Sequence, residues 1–424
     1  MAGRCAGRPR GVPLPAEETL AGRGCCCFFS LFCEAPTEVR LKLHLESTAS
    51  CSKEMSTPTQ DFWNYIPEEL LVHIFSYLPF EDRHTAFSVC KRWAAALCIG
   101  SVWSSTEISC NPREMSQPCL LQSLHLFLRH IKHLKILLDQ TRQLYRRNVT
   151  RILDMLTWQN QNVQALSIVC SENKPFFYSC PDIMQSFRKI CGNTGKIDLQ
   201  YIDFRKTPFT LDNGLVRRIA TSNPNLHTLL INNHPPRLII LRPKTIAEVL
   251  RVCPKLSALG VHHATLSEGV FRELLKPSRG PFRFLDIFCE GVERYIPEGV
   301  WSALTEKHPQ LRVGLEFGPL VPTWKMSRIL LPNIPVATLR FNCRTYMVQL
   351  IRFVTANYSR TLERLIFYSA ASGELNDSLI ELAKRCVHLK EIHCSCAVSQ
   401  AVIDAFLLYC PGLIRYTLSK FSPF

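Results

Sequence analysis

The sequence predicts an α/β chain. A short all-helical unit comes first, followed by a solenoid with parallel strands on its concave face and helices on its convex face. Three observations carry this reading. Residues 62–103 gather apolar side chains at helical spacing, interrupted by a proline stop. After them, a phrase of apolar residues spaced three and then two apart recurs to the end of the chain. Its copies lie 24–32 residues apart, the signature of units that bury an apolar face only against their neighbours.

In the helical unit, Ile66, Leu70, Ile74, Phe75 and Leu78 recur at helical spacing. Pro67 suits the first helical position, and Glu68 and Glu69 complement the positive end of the helix dipole. Pro79 stops that helix. Glu81 and Asp82 open a second, with Ala86, Val89, Cys90, Trp93 and Leu97 on one stripe, and Trp103 follows. A unit below roughly 70–80 residues rarely builds a sufficient core alone, so this one must lean on the rest of the chain or on a partner. The ordered run of Ile66 to Leu70, Ile74 and Phe75, Leu78 and Pro79, Asp82 and Arg83, Val89 and Cys90, Trp93 and Trp103 resembles an F-box. The resemblance implies docking onto a Skp-type adaptor and, through it, onto the cullin and RING subunits of a ubiquitin ligase. Ile66, Pro67, Leu70, Ile74, Phe75, Leu78, Val89 and Trp93 are the expected contacts, laid into grooves of the adaptor. The plainer alternative is a helical hairpin packed on its own domain.

The recurring phrase reads Val163/Leu166/Ile168, Leu226/Leu229/Ile231, Leu256/Leu259/Val261 and Phe282/Leu285/Ile287. It continues as Val336/Leu339/Phe341, Leu362/Leu365/Phe367, Leu389/Ile392/Cys394 and Leu413/Tyr416/Leu418. A weaker copy is read at Thr194/Ile197/Leu199, and another near Leu311. There Leu311, Val313, Leu315 and Phe317 alternate strictly, which leaves the register open by one residue. Helices such as 244–252 and 375–386 precede or follow the strands and often end in a polar or Cys-Pro step. The spacing brackets that of leucine-rich repeats. The two halves together resemble the F-box and leucine-rich-repeat family. The domains expected are an extension without a fold over 1–54, the F-box over 55–110, a helical linker over 111–155 and the repeats over 156–420. In the linker, Arg129, Lys132, Lys135, Arg142, Arg146, Arg147 and Arg151 among leucines and isoleucines predict one basic amphipathic helix across 129–151 with a solvated face.

The chain has 424 residues, 46% hydrophobic and 20% charged, with a net charge of +15. That composition fits a folded chain of two or three domains. No apolar run reaches the roughly 18 residues of a membrane span, so no membrane partner is expected. No nucleic-acid motif accompanies the basic excess, so nucleic acid is not expected as a partner either. The 20 cysteines lie mostly inside apolar patterned segments, which predicts free buried thiols and a reducing cytoplasmic, or also nuclear, location. His393, Cys394 and Cys396 invite a zinc assignment, but no second ligand pair stands at metal spacing, and no metal or cofactor is expected. GxxxxGK[ST], GxSxG and HExxH are all absent from the sequence, so the chain reads as non-catalytic. In the extension, Cys25, Cys26 and Cys27 open a short apolar patch open to a palmitoylation reading, while Met55 is the expected alternative start.

In each phrase the residues between the apolar anchors point to the concave sheet face. Phe284, Phe288, Arg340, Arg364, Ile366, Tyr368, His393 and Arg415 are thereby expected to form the substrate-binding surface. Arginines beside exposed aromatics suit an acidic or phosphorylated segment of a protein substrate. The function expected is that of a substrate-recognition subunit of an SCF-type ubiquitin ligase, leading to proteasomal degradation. The alternative is a leucine-rich-repeat scaffold without a ligase role.

Overall fold

The computed structural model describes residues 63, 65–110, 124–158, 162–171, 179–192, 197–234, 241–290, 295–344 and 346–420. The extension over 1–54, its cysteine run and Met55 lie outside the described residues.

The helical unit comprises α1 (Glu68–Ser76), α2 (Phe80–Phe87) and α3 (Lys91–Leu97). Pro67 stands one position earlier than expected, as the N-cap residue before α1, and Pro79, after the end of α1, is the N-cap residue of α2. The second expected helix is split in two. Ser88 closes α2, and the Cys90 sulfur accepts the Trp93 backbone N–H at 3.5 Å to open α3. Leu71, Phe75, Phe80, Ala86, Phe87 and Leu97 fill the interior, and the Phe75 ring meets Trp93 edge-on at 5.1 Å.

Among the described residues, twelve parallel strands follow in sequence order, forming one sheet. They are β1 (Ser105–Ser109), β2 (His133–Leu138), β3 (Ala165–Cys170), β4 (Tyr201–Asp203), β5 (Thr228–Leu230) and β6 (Ala258–His262). Then come β7 (Phe284–Cys289), β8 (Arg312–Phe317), β9 (Val336–Arg344), β10 (Arg364–Tyr368), β11 (Glu391–Val398) and β12 (Arg415–Lys420). Between them run α4 (Gln143–Trp158), α5 (Pro181–Ile190), α6 (Asn213–Ser222), α7 (Pro243–Val252) and α8 (Glu268–Leu274). The last are α9 (Glu298–Lys307), α10 (Thr323–Ile329), α11 (Val348–Tyr358), α12 (Gly373–Arg385) and α13 (Gln400–Tyr409). The order is that of a leucine-rich-repeat solenoid. Leu166, Ile202, Leu229, Leu259 and Leu285 pair in one column across β3 to β7, all buried beneath the helices.

Two expectations are corrected, and the register left open near 311 is fixed. The basic stretch 129–151 is not one helix: His133 to Leu138 form β2, with Leu134, Ile136 and Leu138 buried and His133 and Lys135 exposed. That is the period of a strand. Within that stretch only the part from Gln143 is α-helical, so the segment read as a helical linker holds part of the sheet, which already starts at Ser105. The weak copy at Ile197 and Leu199 is displaced: the strand is β4, and the anchors are Leu199, Ile202 and Phe204, all buried. Near 311, Val313, Leu315 and Phe317 face inward, and Val313 pairs with both Leu285 and Val336. Between β8 and β9 the register shifts, yet Leu315 meets Leu339 and Phe317 meets Phe341, so the core face is kept.

The residues that end the helices explain much of the cysteine usage. Asn223, Cys253, His308, Cys386 and Cys410 are C-caps, and all are buried. Asn223 Oδ1 accepts from Leu199 N at 2.7 Å. The Cys253 thiol donates to the Ala220 and Asn223 carbonyls, both at 3.6 Å. His308 Nδ1 accepts from Phe282 N at 3.2 Å while Nε2 donates to the Leu274 carbonyl at 3.0 Å. Cys410 repeats the Cys253 arrangement on the Ala383 and Cys386 carbonyls. Asn223, Cys253, His308 and Cys410 thus each tie their repeat to the one before, the last three by pairing with carbonyls of the preceding repeat.

Candidate functional site

Two surfaces carry the expected contact residues. The first is the helical unit. Leu71 and Phe75 of α1 turn inward, together with Ile66 just before it, so Ile66 and Phe75 are core residues and not the contacts expected of them. Leu78 and Trp93 are half-buried against that core. Leu70, Ile74 and Tyr77, spaced four and three apart, form the opposite face of α1 and its C-cap and are 53%, 38% and 76% exposed. Pro67 and Val89 are also exposed. Four of the eight expected residues are therefore exposed, and Leu70 and Ile74 share one face of α1 that Tyr77 extends. A contiguous open patch, unlike scattered apolar residues, marks an interaction site.

Arg83 fixes this unit to the sheet. Its side chain is buried, and Nε donates to the Leu78 carbonyl at 2.9 Å. Nη2 donates to the Ser76 carbonyl at 2.8 Å and the Ser105 carbonyl at 3.2 Å, and Nη1 reaches Thr106 Oγ1 at 3.2 Å. The guanidinium also lies 5.3 Å over the Trp103 ring, which stacks on Phe127 at 3.9 Å. Burial lowers its pKa to about 10. Arg83 thus binds the end of α1, the loop after it and the start of β1. The sequence reading met it only as part of the family pattern; its burial had no local signal.

The second surface is the concave sheet face, where a cleft of about 510 Å³ spans β3 to β12. Its floor is charged. Arg205 meets Asp203 at 2.8 Å and Asp286 at 3.3 Å. Glu316 accepts from Asn342 at 2.7 Å, with His234 at 3.4 Å and Arg340 at 3.8 Å. These partners hold the Glu316 carboxyl below its usual pKa against the burial that would raise it, whereas burial dominates at Asp286 and raises it. Asp286 lies between Gly260 and Gly314 in the register of β6, β7 and β8. A Cβ on Gly260 would fall 2.1 Å from Asn232 Oδ1, and one on Gly314 would fall 2.3 Å from Asp286 Oδ1. Glycine is thus required for these polar side chains to lie flat on the sheet.

The expected substrate-binding residues divide. Phe284, Arg340, Arg364 and Arg415 line the cleft. Ile366, Tyr368 and His393 are half-buried on the same face. Phe288 is corrected: it is 1% exposed, covered edge-on by His234 at 4.4 Å and His262 at 5.8 Å. The arginines are not equivalent. Arg364 meets Glu391 at 2.7 Å, and Glu391 also takes His393 Nε2 at 3.0 Å, whose Nδ1 faces Thr417 Oγ1 at 2.8 Å. Arg415 forms no ion pair among the described residues. Buried Asp286 and half-buried Asp203 and Glu316 were missed as a group, because they come from three separate repeats and meet only through the register.

Among the described residues, no helix is long and apolar enough to cross a membrane. The F-box-like family model matches residues 63–108. The chain is 38% identical over 357 residues to human F-box/LRR-repeat protein 8, covering 83% of this chain and 94% of that protein. It is 24% identical over 366 residues to mouse F-box/LRR-repeat protein 21, covering 82% of this chain and 80% of the relative. Among solved structures, a chain of the Toll–Spatzle complex of Drosophila aligns over 70% of this chain and 37% of its own length, at 12% identity and a TM-score of 0.26, values too low to bear on function. An F-box-like unit joined to a parallel-stranded repeat array, with this identity over most of both chains, places the protein in the F-box and leucine-rich-repeat family.

Proposed function

We propose that the chain is the substrate-recognition subunit of an SCF-type ubiquitin ligase. The observation that carries this reading is the open apolar face of α1. Leu70 and Ile74 are exposed on a helix whose opposite face is fully packed, and burying such a face on a Skp-type adaptor removes it from water. The adaptor brings the cullin and RING subunits, and the repeat array holds a protein substrate in its concave cleft. The chain supplies no bond-making chemistry. It raises the effective concentration of a substrate lysine beside the charged ubiquitin-conjugating enzyme, in the cytoplasm and nucleus, for proteasomal degradation. Arg340 and Arg415, the cations least committed to partners on the C-terminal strands, favour an acidic or phosphorylated substrate segment.

The test has two arms. Leu70→Ala with Ile74→Ala, made in the full chain, is expected to reduce recovery of the adaptor at least about tenfold, since truncating one buried Leu costs about 2 kcal/mol or more. Both residues are exposed in the free chain, so its melting temperature should hold. Normal adaptor recovery by this folded variant would leave a repeat scaffold as the better reading. In the second arm, the same variant serves as a trap for substrates. Adding Arg340→Glu and Arg415→Glu should empty the trap of the proteins it captures, and unchanged capture would move recognition off the concave face.

A further inference from the structure

Two thiols of β11 lie side by side. Cys394 is buried in the core column and pairs in register with Leu418 of β12. The next register pair is Ala397 with Ser419, so Ser395 and Cys396 are extra residues in a bulge. On a regular strand, residues two apart lie about 6.6 Å from each other with side chains side by side. Here the bulge brings the Cys394 and Cys396 sulfurs to 3.0 Å. A disulfide needs about 2.05 Å, so the two atoms must close by only about 1 Å. Cys396 is also half-exposed, which gives a small oxidant access. No other cysteines are recorded in such contact among the described residues.

We propose that Cys394 and Cys396 form a reversible dithiol–disulfide couple, oxidised by hydrogen peroxide. Cys396 is the attacking sulfur: the hydrogen bond from Cys394 lowers its pKa, while Cys394 keeps its proton. The Cys396 thiolate takes one oxygen of the peroxide, the O–O bond breaks, and hydroxide leaves, giving a sulfenic acid at Cys396. The Cys394 sulfur then attacks that sulfur. The S–S bond forms, the S–O bond breaks, and the departing hydroxide takes the Cys394 proton as water. In total two thiols and one peroxide yield one disulfide and two waters, and a thiol reductant reverses the change. The buried cysteines at the helix ends contrast with this pair. Burial pushes Cys253 and Cys410 up to about 11 and Cys386 up to about 12, which keeps them as inert thiols.

The couple sits beside His393, whose ring bridges Glu391 and Thr417 on the concave face. Closing the disulfide tightens the bulge at the end of β11 that holds this bridge, so oxidation should alter substrate capture. That consequence rests on the substrate-receptor reading; the thiol chemistry does not.

The experiment is differential alkylation and peptide mass spectrometry on the full chain, before and after a small molar excess of hydrogen peroxide. The expected result is a peptide with an internal Cys394–Cys396 disulfide, two hydrogens lighter and restored by dithiothreitol. Its formation should exceed oxidation of Cys253, Cys386 or Cys410 by about tenfold or more. In Cys394→Ser, oxidation should stop at a sulfenic acid on Cys396 that dimedone traps. Free thiols at both positions after peroxide, or Cys396 joined to a different cysteine, would overturn the proposal. Substrate capture that is unchanged although the disulfide forms would overturn only the regulatory consequence.

Discussion

At the scale of single residues, burial sets the chemistry more than sequence context does. His262 and His263 are adjacent, buried, and pushed down to about 4, the former with Nε2 donating to the Asn233 carbonyl at 2.8 Å. Both are therefore neutral in the folded chain near pH 5, while an unfolded chain protonates them from about 6.5 downward. The unfolded state binds more protons in that window, so stability falls as pH drops from about 6.5 to about 4. The full effect is about 3 kcal/mol for each histidine, before any relaxation of the site. His263→Phe should remove roughly half of this acid sensitivity while leaving stability at pH 7.5 within about 1 kcal/mol, read from urea melts across that range. A variant with the same acid limb as the parent would show that His263 is solvated. None of this was legible in the sequence, where the two histidines look like any polar pair after a strand.

At the scale of elements, legibility depended on whether a pattern had one geometric reading. The phrase at Leu256, Leu259 and Val261 did, and β6 lies where it should. Ile131, Leu134 and Ile136 carry the same phrase, yet the arginines and lysines around them also fit a helix face, and the helix reading displaced the strand. Phe288 was assigned to the open face correctly by alternation, but His234 and His262 from other repeats cover it, and alternation cannot report a cover. Pairing across the sheet separates the arginines too. Arg364 faces Glu391 on the neighbouring strand, so Arg364→Glu sets two glutamates opposite each other and should cost about 1 kcal/mol. Arg415→Glu, on the edge strand and facing Glu391 in register, leaves no broken ion pair and should cost less. Thermal melts of the two variants test the order. If Arg415→Glu is the more destabilising, Arg415 has a structural role, and it is a poor probe of substrate capture.

At the scale of the molecule, the two halves share one hydrophobic core that runs without a gap from Ile66 to Cys410. The sequence suggested two domains and a linker because the phrase is faint before Val163, where its anchors are Trp103, Thr106 and Ile108 and then Ile131, Leu134 and Ile136. The junction is instead a packed one: Trp103 donates its indole N–H to the Leu97 carbonyl at 2.7 Å, and Arg83 spans α1 and β1. In a solenoid each unit feels only its neighbours, so the two ends should open independently. At the far end, β12 is an edge strand with Tyr416 49% exposed, and it should exchange its amide protons faster than β6 or β7. Arg83→Met separates the two ends experimentally. It strands the Ser76 and Leu78 carbonyls and should cost about 3 kcal/mol, since each buried unmade hydrogen bond costs about 1–3 kcal/mol. Native-state hydrogen exchange should then show lost protection in α1 to α3 and in β1 and β2, with β10 to β12 unchanged. Loss confined to the helices would mean that the helical unit opens without the sheet. The exposed face of α1 and the cleft would then be joined by a hinge, where the packing at Trp103 and Phe127 calls for a fixed geometry between these two surfaces.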